Sequence, residues 1–208
     1  MLEPPRQRPR KTTHKRRWAN ADAEARHTMI VDVAVDLLHR EGLEAVTMRR
    51  VAQQLGVGTM TLYTYVDGQP DLRKAMIQRG FAMLSSNCCA AHDASPDDHW
   101  GGGARNYLRF AMSWPNLYGL MFAAPVEDAG EVQLLMNGFA PLLARVTARL
   151  SEAGLDGEPL RLAALKAAGR YWIALHGLAS LAIAGRLPVL EADAEHLLED
   201  LLERVAPT

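Results

Sequence analysis

At 208 residues, 49% of them hydrophobic, the chain can bury a substantial apolar core, either as one large domain or as a small one joined to a larger. Leu and Ala dominate, alternating β-branched or aromatic runs are missing and no βαβ rhythm recurs, which excludes sheet architectures and predicts an all-α fold. The formal net charge of −1 hides an asymmetry: residues 1–80 carry 14 Lys/Arg against 9 Asp/Glu and residues 81–208 carry 9 against 15, so the N-terminal part favours a polyanionic partner.

Residues 1–21 read as a basic arm, its cations concentrated in residues 6–17. That composition is expected of a disordered segment able to lie along phosphates; a tail that only solubilises is the alternative. The arm has no apolar stretch of the kind an export signal needs. Met29, Ile30, Val33, Ala34, Leu37 and Leu38 then recur at helical spacing over about residues 22–40, and Gly42 supplies a stop. Thr47 is a good N-cap for a short second helix ending at Gly56, with Val51, Ala52 and Leu55 inward. A third short helix is expected over residues 58–65, and Pro70 opens a longer one through about residue 86. Cys88 and Cys89 are adjacent, a poor structural staple, so a reducing cytoplasm fits best and inert thiols are expected. Residues 91–103 read as an acidic, turn-forming loop; its His92, Asp93, Asp97, Asp98 and His99 read as solvated turn chemistry, so no metal site is expected. Further helices are predicted at residues 104–113, 115–123, 128–152, 158–185 and 191–205, giving about nine in all. Pro115, the Ala124-Pro125 step, Gly154 with Gly157, and Pro188 punctuate them. The longest uncharged stretch, residues 171–185, is too short to span a bilayer and contains His176 and Ser180, so no membrane partner is expected.

The informative stretch is Thr47-Met-Arg-Arg-Val-Ala-Gln-Gln-Leu-Gly-Val-Gly-Thr-Met-Thr-Leu-Tyr63. A helix-turn-helix needs a small residue where its helices cross, a residue tolerant of left-handed backbone four positions later, and an inward apolar residue on the second helix. Ala52, Gly56 and Leu62 fill those places. The outer face of the third helix would offer Thr59, Met60, Thr61, Tyr63, Thr64 and Tyr65 to a major groove, hydroxyls to base edges or phosphates and Met60 to a thymine methyl. From Ala52 and Gly56 alone, an ordinary helical hairpin explains the pattern equally well. The run Leu55-Gly-Val-Gly-Thr-Met-Thr-Leu-Tyr63, followed by Val66 and Asp71-Leu72, closely resembles the DNA-binding domain of TetR-family regulators over about residues 22–80. The resemblance implies operator contacts from Thr47, Met48 and Arg49 and from Thr59, Met60, Thr61, Tyr63, Thr64 and Tyr65, with Thr47 and Tyr63 holding phosphates. It also shows two departures: Gln69 stands where a lysine commonly grips the DNA backbone, and Val66 where phenylalanine is common.

A second, narrower resemblance is carried by Tyr171-Trp-Ile-Ala-Leu-His176-Gly177-Leu-Ala with Trp114-Pro-Asn-Leu-Tyr118-Gly-Leu-Met-Phe122. It is similar to the ligand-binding region of the TetR subgroup named for its Trp, His and Gly (WHG). Trp172 and His176 are four apart on one helix, so an indole and an imidazole can line one cavity. Gly177 would let another helix approach closely. Candidate contacts to a small apolar or aromatic effector are Tyr107, Met112, Trp114, Tyr118, Met121, Phe122, Met136, Trp172 and His176, soft and aromatic side chains that core packing also explains. Ala163, Ala164, Ala167, Ala168, Gly169, Ala174, Ala179, Ala182 and Ala184 keep the eighth helix thin, and Leu197, Leu198, Leu201, Leu202 and Val205 stripe the ninth, a pattern suited to a homodimer through the last two helices.

These readings predict a basic arm (1–21), a helix-turn-helix domain (22–68) and an effector-binding and dimerisation domain (69–208), acting on a double-stranded DNA operator, with repression the family's commoner mode. No phosphate-binding glycine loop, nucleophile elbow or zinc-protease helix is present, so neither an enzyme nor a cofactor is expected. The rivals are a DNA-binding dimer without an effector, and a small-molecule binder whose DNA-binding unit is vestigial.

Overall fold

The computed structural model describes residues 16–94, 100–123, 129–190 and 193–205, and every regular element among them is helical. The elements are α1 (Ala23–Glu41), α2 (Met48–Leu55), α3 (Thr59–Leu62), α4 (Gly68–Ala94), α5 (Gly101–Ser113), α6 (Pro115–Phe122), α7 (Ala129–Glu152), α8 (Gly157–Ile183) and α9 (Ala194–Val205). A helical turn at residues 16–19 precedes α1, and short 3-10 turns lie at Leu43–Ala45 and Leu187–Leu190. The chain divides into two packing units, Met1–Gly80 with Trp114–Ala124, and Phe81–Ser113 with Pro125–Thr208. The boundary falls inside α4.

In the first unit, the Asp22 carboxylate caps α1 by accepting from the Ala25 N–H at 2.8 Å, and Glu24 in the first turn with His39 and Arg40 in the last complement the helix dipole. Ile30, Val33, Ala34, Leu37 and Leu38 are buried as their spacing requires. Met48, Val51, Ala52 and Leu55 form the buried stripe of α2 at positions i, i+3, i+4 and i+7. Leu62 from α3 and Leu72 and Met76 from α4 complete this core. Gly56 closes α2 in the left-handed region (φ 73°, ψ 32°), its N–H donating to the Ala52 carbonyl. A side chain there carries the left-handed penalty, so Gly56→Ala is expected to destabilise the protein by about 1 kcal/mol in urea unfolding; an unchanged midpoint would contradict this account of the turn.

The second unit centres on Val146 of α7 and Ala164, Ala167 and Ala168 of α8, with Trp100, Phe139, Leu142, Leu143 and Leu150 packed around them. The alanines keep α8 thin enough for α7 to lie against it. At Gly138 a Cβ would come within 2.5 Å of the Phe81 ring, so α7 approaches α4 there only because the residue has no side chain. The Tyr171 hydroxyl donates to the Trp100 carbonyl at 2.9 Å, the Arg145 guanidinium lies 5.2 Å from the Trp100 ring centre, and Arg105 pairs with Glu199 at 2.7 Å.

Four boundaries around α3, α4 and α5 differ from expectation. Residues 63–65 leave the α3 helix as a turn, with the Tyr65 and Val66 N–H groups both donating to the Leu62 carbonyl at 2.9 and 3.0 Å. Helix α4 starts two residues before Pro70 and runs to Ala94, and α5 starts at Gly101, so residues 91–94 and 101–103 are helical rather than loop. Tertiary bonds support the longer helix: Asn106 Nδ2 donates to the Asn87 carbonyl at 2.7 Å and the Cys88 thiol to the Gly103 carbonyl at 3.5 Å. Burial pushes the Cys88 thiol up to about 12, which keeps it protonated and inert. The side chains of His92, Asp93, Asp97, Asp98 and His99, the Ala124-Pro125 step and most of the arm lie outside the described residues. Among the described residues, no helix is long and apolar enough to cross a membrane, and no group of three or more His, Cys, Asp or Glu is placed to hold a metal ion.

Candidate functional site

The helix-turn-helix is assembled by local chemistry. The Thr47 hydroxyl oxygen accepts from the Arg50 N–H at 3.2 Å and starts α2; its own O–H stays available to donate outward. Gly56 turns the chain, Gly58 caps α3 without a side chain, and the fully buried Leu62 pins that single turn to the core. With Leu62 inward, its neighbours face out. Met60 is 79% exposed and Tyr63 51%, and Thr61 and Thr64 are exposed beside them while Thr59 is half-buried. Arg49 is exposed on the first turn of α2.

Two of the expected contacts do not belong to that face. Met48 is only 7% exposed and is part of the core: it stands one helical repeat before Val51, Ala52 and Leu55, so it shares their inward side. Tyr65 is half-buried. Its hydroxyl accepts from Arg26 Nη1 at 2.8 Å and its ring meets the Trp18 ring edge-on at 5.5 Å. Gln69 is also committed internally, its Nε2 donating to the Val46 carbonyl at 2.5 Å, just ahead of the α2 N-cap. Asp71 accepts from the Asp67 N–H at 2.8 Å and holds the start of α4.

The expected effector residues are divided between the units. In the first, the tilted rings of Trp114 and His39 meet at 4.4 Å, Tyr118 and Phe122 meet at 4.8 Å, and Met121 is buried over Gly80, where a Cβ would come within 2.6 Å of its sulfur. Asn116 Nδ2 donates to the Leu38 carbonyl at 3.0 Å and ties α6 to α1. In the second, Tyr107 is buried in the core, whereas Met112 and Met136 are exposed. Trp172 and His176 come together as their spacing requires, with ring centres 5.8 Å apart, and Phe139 of α7 packs on Trp172 at 5.9 Å. Phe139 was not singled out from the sequence. Among the described residues, Gly177 does not serve as a contact for another helix; a Cβ there would meet nothing within 4 Å.

Burial lowers the His176 pKa from its ordinary value of 6.5, favouring the neutral imidazole. A lowered pKa means that the unfolded chain binds the proton more readily. The stability this group contributes is therefore complete above about pH 6.5 and is lost as pH falls through the lowered value. His176→Gln is expected to remove that acid-side decline from the thermal unfolding profile; a decline of the same size in the variant would assign it to other groups.

Residues 30–76 match the family described as bacterial regulatory proteins, tetR family, and residues 100–205, just over half the chain, match the tetracyclin repressor-like C-terminal domain. The chain belongs to the TetR family. It is 33% identical over 182 residues to the HTH-type transcriptional regulator Rv0681 of Mycobacterium tuberculosis, an alignment covering 85% of this chain and 78% of that one. Among solved structures, the regulatory protein SCO4313 shares the fold at a TM-score of 0.68 and 24% identity, over 95% of this chain and 98% of that one. RolR bound to resorcinol does so at 0.59 and 17%, over 89% and 90%. TetR-family proteins are DNA-binding transcriptional regulators of helix-turn-helix type rather than enzymes.

Proposed function

We propose that this TetR-family regulator binds an operator as a homodimer, represses transcription, and is released by a small apolar or aromatic molecule. The observation that carries the reading is the outward side of α3 and the turn after it, where exposed Met60, Thr61, Tyr63 and Thr64 follow closely on the left-handed Gly56 turn. In this reading residues 22–68 form the DNA-binding domain. Thr59, Met60, Thr61 and Thr64 meet base edges, while Thr47, Arg49 and Tyr63 hold phosphates and set register. Residues 69–208 bind effector and dimerise, and the protein acts in the cytoplasm, where its DNA is.

The dimer reading is supported by the surface of α8. Ile173 is 68% exposed, Leu181 is exposed eight residues on, and Leu162 lies eleven before Ile173, roughly on the same side; Gly169 and Gly177 on this helix face open space. Such a stripe on a thin helix suits a two-fold interface with α9 alongside. The effector reading, and assignment to the WHG subgroup, rest on the Trp172, His176 and Phe139 cluster, whose edge-on and tilted rings and neutral imidazole suit an aromatic guest. The resorcinol complex of a relative of the same fold agrees in chemistry. Ligand binding would shift α4 and change the spacing of the two recognition turns. Fluorescence anisotropy of the full-length protein tests the core of the proposal: at physiological salt it is expected to bind the region upstream of its own gene more tightly than random duplex. Equal affinities would refute it.

A further inference from the structure

The face assigned to DNA above is poor in charge. Of Thr47, Arg49, Thr59, Met60, Thr61, Tyr63 and Thr64, only Arg49 is a cation, and Gln69 is committed to the Val46 carbonyl. Phosphate contacts by cations dominate the affinity of proteins for duplex DNA, so this face alone is underpowered. Among the described residues of the first unit, Arg40 pairs with Asp36, Arg50 with Glu41 and Arg79 with Asp32.

Arg16 and Arg17 are different. Both are exposed, on the helical turn of residues 16–19, and the next residue, Trp18, is 8% exposed. Trp18 is held by three contacts. Its ring packs edge-on against Tyr65 at 5.5 Å, its carbonyl accepts from Arg26 Nε at 3.2 Å, and the Arg26 guanidinium lies 5.7 Å from its ring centre. The same guanidinium donates to the Tyr65 hydroxyl at 2.8 Å and lies 5.9 Å from the Tyr65 ring centre. Tyr65 is three residues after Leu62, the last residue of α3. A tail that only solubilises has no need of a buried tryptophan at its root, packed edge-on against the residue that follows the recognition turn.

We infer that Trp18, Arg26 and Tyr65 form a clasp fixing the root of the basic segment beside α3, so that Arg16 and Arg17 hold the DNA phosphates flanking the groove that α3 reads. The inference rests on the DNA-binding reading above. Tyr65 is then a positioning residue, acting through Trp18 rather than on DNA. Arg6, Arg8, Arg10, Lys11 and Lys15 precede the pair in sequence and extend the same charge.

The test is hydroxyl-radical footprinting, with a salt titration of affinity, on a duplex enriched from a random pool by the full-length protein. The unmodified protein should protect a central half-site and, beyond it, a stretch of flanking backbone. Arg16→Ala/Arg17→Ala should lose the flanking protection alone, and the slope of log affinity against log salt should become shallower by about 1.8 per half-site, two contacts at about 0.9 each. Trp18→Ala keeps every charge and should also lose the flank; Tyr65→Phe, which keeps the ring and removes only the acceptor, takes its place if that variant does not fold. Central protection with no flank in the unmodified protein, or a flank retained in the double-arginine variant or in the clasp variant, would overturn the inference alone. Absence of protection anywhere would overturn the DNA-binding reading beneath it.

Discussion

Replacing Thr61 and Tyr63 together by alanine is expected to lower operator affinity about 10³-fold without changing thermal stability. Both side chains are exposed on the outer side of the α3 turn, and neither supports the core, which Leu62 anchors. A hydrogen bond to base or phosphate contributes about 1 kcal/mol net, and a dimer loses four of them, or about 4 kcal/mol. Surface substitutions away from special features change stability by less than about 0.5 kcal/mol. The single variants should separate two roles. Thr61→Ala relaxes sequence preference, whereas Tyr63→Phe weakens binding to every sequence alike and reduces register rather than specificity. An affinity unchanged in the double variant, measured by anisotropy against the same duplex, would show that the turn is not the reading element.

The second large effect concerns α8. Ile173→Glu/Leu181→Glu is expected to convert the protein from dimer to monomer, with loss of operator binding and retention of helical content. Both residues are exposed on the isolated chain, so carboxylates there cost the monomer little. Between two copies, each carboxylate would be buried without a partner, at a cost of several kcal/mol. A monomer engages one half-site and forfeits the linked second contact, whose effective concentration is what makes the dimer tight. Sedimentation at micromolar concentration would read the mass. A dimer that persists in the double variant would move the interface elsewhere.

The fold was legible where the signals are local. Thr47 and Gly56 bracket α2 through their own backbone chemistry, and the apolar spacing of α1 and α8 needs no knowledge of a partner. Pro141 lies within α7, inside the span that spacing alone had predicted as helix. What escaped was tertiary. The acidic and glycine-rich residues around α4 and α5 look like loop formers, yet bonds such as Asn106 to the Asn87 carbonyl carry helix further in from both sides. Tyr65 looked like part of an outward face because nothing local announces Arg26, 39 residues away. Met48 was a different kind of miss: its place at i relative to Val51, Ala52 and Leu55 already put it on the buried stripe, and the family resemblance drew it outward instead. In the second unit, the pairing of Trp172 with His176 followed from their spacing, but Phe139 joins them from another helix, which no spacing rule within one helix can disclose.

In the proposed function, two copies of the α3 turn read DNA together. Enrichment of random duplexes by the full-length protein, followed by sequencing, tests it most directly. The expected product is a two-fold symmetric motif whose half-sites are about one helical turn apart, roughly 34 Å, or a fixed offset near that, bound at least about 10³-fold more tightly than the unselected pool. Enrichment of no sequence, or of a single asymmetric element whose capture survives Thr61→Ala/Tyr63→Ala, would contradict it.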